Sequence, residues 1–147
     1  MNKKLIFILL ACLFITSQAF AGEVNETLIA TTLLDDSPTS ATGEAYIQDY
    51  KKIGFWVSYD ETQVGASVSL TVAITVSYDG TNYVAGSFMD VAGTVTPQTS
   101  ETISSNGWYF FWLDANWPYK YITVTLTGNN TDADDTASVA CYIAGVK

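Results

Sequence analysis

Histidine and arginine do not occur in this chain, and cysteine occurs only as Cys12 and Cys141. Each absence removes a chemistry. Without histidine there is no Ser-His-Asp or Cys-His apparatus, and no ordinary zinc site built from His and Cys. With no arginine and six lysines against fifteen acids, the net charge is −9. Such a chain lacks the cations that grip a phosphate backbone, so nucleic acid is excluded as a partner. An anionic membrane surface is disfavoured for the same reason. No glycine-rich phosphate loop is present. Two carboxylates could in principle serve glycoside hydrolysis, but a chain of 147 residues offers little with which to enclose a cleft. The expectation is a protein that is not an enzyme.

The N-terminus carries a destination. Met1-Asn2-Lys3-Lys4 is a short basic segment, Leu5 to Ile15 is apolar, and Ala19-Phe20-Ala21 has the A-x-A form of a cleavage site. Together these read as a secretory signal peptide over 1–21, too short for a comfortable membrane span. The mature chain is therefore expected to be secreted, extracellular or periplasmic, with no membrane insertion. A competing reading takes Leu9-Leu10-Ala11-Cys12 as a lipobox, but the apolar run continues past Cys12 through Leu13-Phe14-Ile15. Loss of Lys3 and Lys4 makes the mature chain more acidic still. Only Cys141 survives cleavage, so no intramolecular disulfide is available. Its neighbours Val139 and Ile143 share its strand face, which favours a small core residue over an intermolecular bridge.

The rest of the chain alternates at a period of two. The clearest stretch is Ser67 to Tyr78, with Val68, Leu70, Val72, Ile74, Val76 and Tyr78 on one side and Ser, Thr and Ala on the other. That is a strand with one buried face. Glu26 to Leu34 reads as a first strand, with Leu28, Ala30 and Leu34 on one face and Ile29 and Leu33 on the other. Asp35 to Glu44, with Pro38 and Gly43, has loop composition. A second short strand is expected at Ala45 to Ile47 and a third at Ile53 to Asp60. Asp79-Gly80 between Tyr78 and Tyr83 signals a hairpin, with Tyr83 to Val91 returning and Gly86 and Asp90 interrupting it. Short strands around Thr94 to Thr96 and Glu101 to Ile103 follow. Trp108 to Leu113 (W-Y-F-F-W-L) is apolar on both faces, as expected of a sheet covered on both sides or at an interface. Lys120 to Thr127 and Ala137 to Val146 complete the set, the former with Ile122, Val124 and Leu126 inward.

No helical period appears in the mature chain. Seven to nine short strands separated by turns predict an all-β fold, an antiparallel β-sandwich of jelly-roll or immunoglobulin-like type. The expected organisation is 22–44 as an N-terminal strand and linker and 45–147 as the sandwich body, in one domain. An outer-membrane barrel is the competitor.

Two loops carry candidate sites. Trp56, Trp108, Trp112 and Trp117, with Tyr119 and Tyr121, offer aromatic faces for stacking sugar rings; Trp117-Pro118-Tyr119 is the leading candidate, because aromatics in a loop are harder to account for as core, whereas Trp108 and Trp112 read as core or interface. Asn130, Asp132, Asp134 and Asp135 supply oxygen ligands suited to a hard cation such as calcium. The spacing is not that of an EF-hand, and a solvated acidic turn is the favoured reading. Calcium is the only cofactor suggested.

Ile74-Thr75-Val76-Ser77-Tyr78-Asp79-Gly80-Thr81-Asn82-Tyr83 resembles the strand–S-x-D-G-x-x-[WY]–strand hairpin of discoidin-like, galactose-binding-type jelly rolls. Tyr119-Lys120-Tyr121-Ile122-Thr123-Val124 resembles their R-Y-[VI]-R strand, with Lys120 and Thr123 in the two arginine positions. The similarity spans about a third of the mature chain. It implies a jelly-roll-like sandwich with sugar or surface binding as a function.

Two classes of function follow. The first is a structural or assembly subunit of a cell-surface or extracellular structure, whose partners are other copies of itself or surface proteins. Donation of the strand Glu26 to Leu34 to a neighbour's sheet edge is one way to build it. The second is a carbohydrate- or surface-binding module that uses the loop aromatics, with glycans as partners.

Overall fold

The computed structural model describes residues 23–35, 39–48, 50, 52–62, 69–90, 98–113, 118–129 and 136–146. The expected signal peptide, the strand expected around Thr94 to Thr96, Trp117 and the candidate calcium ligands of the acidic turn lie outside them. Ten strands are present and, among the described residues, no helix: β1 (Glu23–Leu34), β2 (Ser40–Tyr46), β3 (Lys52–Thr62), β4 (Leu70–Ser77), β5 (Tyr83–Ala85), β6 (Phe88–Asp90), β7 (Ser100–Ile103), β8 (Gly107–Leu113), β9 (Tyr121–Gly128) and β10 (Thr136–Val146). They form two antiparallel sheets. Sheet A has the order β1-β10-β3-β8-β6; sheet B has β2-β9-β4-β5, with β7 also paired to β4.

The pairs nest. β1 takes β10, β2 takes β9, β3 takes β8, and β4 takes β5 and β7 at its two ends. A long antiparallel ribbon folded so that alternate strands fall in opposite sheets is a jelly roll. The expected β-sandwich is therefore present, in its jelly-roll form and with ten strands rather than seven to nine.

The core lies between the sheets and follows the period-two pattern. Leu70, Val72, Ile74 and Val76 of β4 and Ile122, Val124 and Leu126 of β9 are buried from sheet B; Phe55, Val57 and Tyr59 of β3 and Val139, Cys141 and Ile143 of β10 face them from sheet A. Phe55, Phe88 and Phe111 form an aromatic centre, with Phe55 stacked on Phe111 at 5.1 Å and Phe88 edge-on to both.

Several expected boundaries move, each for a local reason. The linker expected to reach Glu44 stops earlier, because Ser40 to Glu44 pair in register with β9; Gly43 and its small neighbours form an edge strand that composition alone disguises as loop. The single return strand expected over Tyr83 to Val91 is two strands. After Ala85 the chain leaves sheet B: the Gly86 N–H donates to Ile74 O at 3.1 Å, and Phe88 then enters the core as part of sheet A, bonded to Gln98. β1 buries Ile29 and Leu34, which lie on opposite faces of a regular strand, and leaves Leu33 58% exposed. Register shifts between Thr27 and Ile29 and between Ile29 and Thr32 account for this, since a bulge turns the following side chains over. β1 pairs with β10 of its own chain, so the strand considered for donation is an edge strand of its own sheet.

Candidate functional site

The outer faces of the two sheets differ in kind. On sheet B, hydroxyls from neighbouring strands meet as Ser40–Thr127 (2.9 Å) and Thr42–Thr125 (3.4 Å), and the Tyr83 hydroxyl donates to the Glu44 carboxylate. Such a face is at home in water. On sheet A the positions that alternate with the core residues carry Trp108, Phe110 and Trp112 on β8, Gly54, Trp56 and Ser58 on β3, and Ala140, Tyr142 and Ala144 on β10. None of these central residues is charged; the charges on this side of β3, Lys52 and Asp60, lie beyond them at the rim.

Register assembles them into rows. Tyr142, Trp56 and Phe110 lie side by side, with Thr27 of β1 at the end of the row. Ala144, Gly54 and Trp112 form the next row one way, and Ala140, Ser58 and Trp108 the next row the other way. The Trp56 and Phe110 rings are 4.3 Å apart, Phe110 and Trp112 4.6 Å, and Trp108 and Tyr142 5.9 Å. Gly54 makes this cluster fit. A Cβ there would fall 2.3 Å from Cζ of Phe110, so only glycine lets the Phe110 ring lie across β3.

Much of this aromatic surface stays in contact with solvent: Trp108 is 63% exposed, Trp56 and Trp112 42% each. Leu33 and Val146 add to the same face, so five of the eight large exposed hydrophobics among the described residues sit on one side of one sheet. Scattered exposed apolar residues are ordinary, but a contiguous patch marks an interaction surface. A hollow of about 370 Å³ opens beside it, lined by Ser58, Asp60, Asn106, Trp108 and Ser138. Asn106 ties its rim together: Nδ2 donates to Asp60 Oδ1 at 3.1 Å, and Oδ1 accepts from the Glu61 N–H at 2.8 Å.

The charged and titratable groups elsewhere are structural. Tyr59, on the core side of β3, donates to Glu61 Oε2 at 2.6 Å; burial and then the Glu61 carboxylate push its hydroxyl well above the ordinary phenol range. In the β4–β5 turn, Asp79 accepts from the N–H groups of Asn82 and Thr81 at 2.8 and 2.9 Å, from the Asn82 side chain at 2.6 Å and from the Ser77 hydroxyl at 3.0 Å. The Asn82 bonds, followed by that from Thr81, hold its carboxyl well below the usual range. No cluster of three or more metal-ligating side chains is present among the described residues.

The residues singled out from sequence are dispersed. Tyr119 is half-buried and packs against the core. Tyr121, at the start of β9 on the outer side of sheet B, meets Tyr46 edge-on at 5.2 Å. Lys120 between them sets its ammonium 4.6 Å from the centre of the Tyr78 ring, a cation–π contact. Trp117, Asn130, Asp132, Asp134 and Asp135 fall outside the described residues. Sequence reading named Trp56, Trp108 and Trp112 together but did not add Phe110 and Tyr142 to them or place them on one sheet face, since Trp56 and Tyr142 come from strands distant in the chain. The signal for that face was the two-sided apolarity of Trp108 to Leu113.

No family model matches the chain, and no curated protein does. Among solved structures it is similar to the SPBc2 prophage-derived protein YomS, with a TM-score of 0.52 and 11% identity over 82% of this chain and 92% of that one. It is also similar to the enzymatically active domain of tailspike protein 4 from bacteriophage CBA120, with a TM-score of 0.45 and 10% identity over 86% of this chain and only 20% of that one. At such identities the likeness to YomS is one of fold.

Proposed function

We propose that this chain is an exported, non-enzymatic jelly-roll subunit that assembles into a cell-surface or extracellular structure, and that the outer face of sheet A is the surface through which it assembles. The observation that carries this reading is the uncharged aromatic face of Trp56, Trp108, Phe110, Trp112 and Tyr142 beside a hydroxyl-lined sheet B. Aromatic residues are enriched and charges depleted at the centres of protein interfaces. YomS contributes the architecture to this reading and nothing more. Sedimentation velocity on the processed chain over a concentration series tests it. Concentration-dependent association, lost in a Trp108→Ser/Trp112→Ser variant of unchanged circular dichroism, is the expected result. A monomer at every concentration would sink the reading.

The hollow beside Trp108 favours a second reading, carbohydrate binding, because an exposed indole next to Asp60, Asn106, Ser58 and Ser138 has the parts of a sugar site. The rings weigh against it as the main function. Phe110 and Trp112 stand at 88° to one another and Trp56 and Phe110 at 44°, so they form a corrugated surface rather than a flat platform for pyranose rings. Glycan-array binding that disappears in Trp108→Ala would establish this second reading. The aromatics Trp117, Tyr119 and Tyr121 and a calcium site at Asn130, Asp132, Asp134 and Asp135 stand as proposals alongside it. A thermal midpoint unchanged by EDTA would remove calcium.

A further inference from the structure

Two questions follow from an aromatic sheet face: what covers it, and in what orientation. The size of the face bears on the first. Five strands about 4.8 Å apart, crossed by the nine residues from Lys52 to Asp60 at about 3.3 Å each, give a projected area on the order of 600 Å². Corrugation by the indoles raises its accessible area towards the roughly 800 Å² per partner of a stable complex. The face therefore accommodates a whole second sheet of its own dimensions, stacked at the usual spacing of about 10 Å.

Charge bears on the second question. Lys52 and Asp60 lie on the outward side of β3 at its two ends, four residues either side of Trp56, and both are exposed. Two copies can stack with two-fold symmetry in two ways. If the β3 strands run parallel, Lys52 meets Lys52 and Asp60 meets Asp60. If they run antiparallel about Trp56, Lys52 of each copy meets Asp60 of the other, and Trp108 of each meets Trp112 of the other. Apolar burial supplies the affinity in either case. Charges at the rim act mainly on orientation and register, and they favour the antiparallel stack.

Resting on the assembly reading above, we infer that the outer face of sheet A is covered by a second copy of this chain, stacked face to face with β3 antiparallel to its counterpart and Lys52 of each copy against Asp60 of the other. The contact is isologous: each residue meets its opposite number twice. A crossing angle of about 30° between the sheets displaces the ends of β3 by roughly 7 Å, which a lysine side chain spans.

The geometry provides a strict test. Within one chain Lys52 and Asp60 are separated by the stretch of β3 between them, about 26 Å, so a zero-length carbodiimide link between them can form only between copies. The experiment mixes isotopically light and heavy processed chain, cross-links with carbodiimide, and reads the peptides by mass spectrometry. In parallel, the dimer constant is measured for Lys52→Glu, Asp60→Lys and the double swap. The expected result is a mixed-isotope Lys52–Asp60 peptide, a dimer weakened about tenfold by each single reversal at its two symmetric sites, and recovery in the double swap. If association persists and depends on the tryptophans, but the peptide is missing and the two reversals simply add, this stacking is overturned while the assembly reading stands. A monomer at every concentration overturns both, and binding of a glycan array through Trp108 by that monomer would assign the face to sugar.

Discussion

Cys141 shows how much a single side chain is decided by its surroundings. It is fully buried between the sheets among Val57, Val139 and Ile143, and burial pushes its thiol up to about 12. A thiolate is the reactive form, so this cysteine does not bridge copies while the chain is folded. Ellman's reagent is expected to leave Cys141 untouched in native buffer and to titrate it fully in guanidinium. Replacement tests the packing role: Cys141→Ser buries a hydroxyl in an apolar site and is expected to cost about 1–3 kcal/mol in a denaturant melt, whereas Cys141→Ala removes one sulfur atom and should cost less. Equal losses for the two would show that polarity at this position does not matter.

Among the elements, the β4–β5 hairpin is the most completely legible from sequence. Strict alternation places Leu70, Val72, Ile74 and Val76 inside, and Asp79-Gly80 sets the turn, with Gly80 at φ +75°, where residues other than glycine are strained. Asp79 makes the turn sensitive to acid. Its folded carboxyl lies below the ordinary value, so its stabilising contribution is present above about pH 4 and is lost as pH falls below that towards the folded value. The thermal midpoint of the wild type should exceed that of Asp79→Ala at neutral pH, and the gap should narrow steadily on acidification below about pH 4; the fourteen other acids act on both proteins alike. A gap that stays constant through this range would show that the turn does not depend on ionised Asp79. Elements whose pattern is broken by geometry were less legible. The bulges of β1 place Ile29 and Leu34 on one face although their spacing is odd, and nothing in E-T-L-I-A-T-T-L-L marks where a bulge falls. The passage from β5 to β6 reads as one interrupted strand because a change of sheet needs only two residues. β8 announced that both its faces were apolar, but which face would be left open depends on β3, paired with it from about 50 residues before, and on β10 beyond β3, from about 30 residues after, and no local pattern encodes that.

At the level of the whole molecule, nearly every pairing is non-local. β4 and β5 are the only strands consecutive in the chain that pair with each other among those described; β1 must find β10, and β2 must find β9. Long loops have to close before such contacts contribute. Refolding of the processed chain from denaturant is expected to take milliseconds to seconds rather than microseconds, as for other all-β sandwiches. A microsecond phase carrying the full fluorescence change of the four tryptophans would contradict this. The candidate site belongs to this scale too, because its rows exist only once β10, β3 and β8 are side by side.

The bulges of β1 have a consequence for how large any assembly grows. An edge strand with a regular row of free N–H and C=O groups invites further strands, and addition at an edge repeats without end, which is the route to fibrils. Here one edge of sheet A is twisted by two bulges and the other is the three-residue β6, so neither offers a long template. Contact through a face uses that face up. On the assembly proposed above, through the outer face of sheet A, the edges of that sheet would not extend the contact by further strand addition.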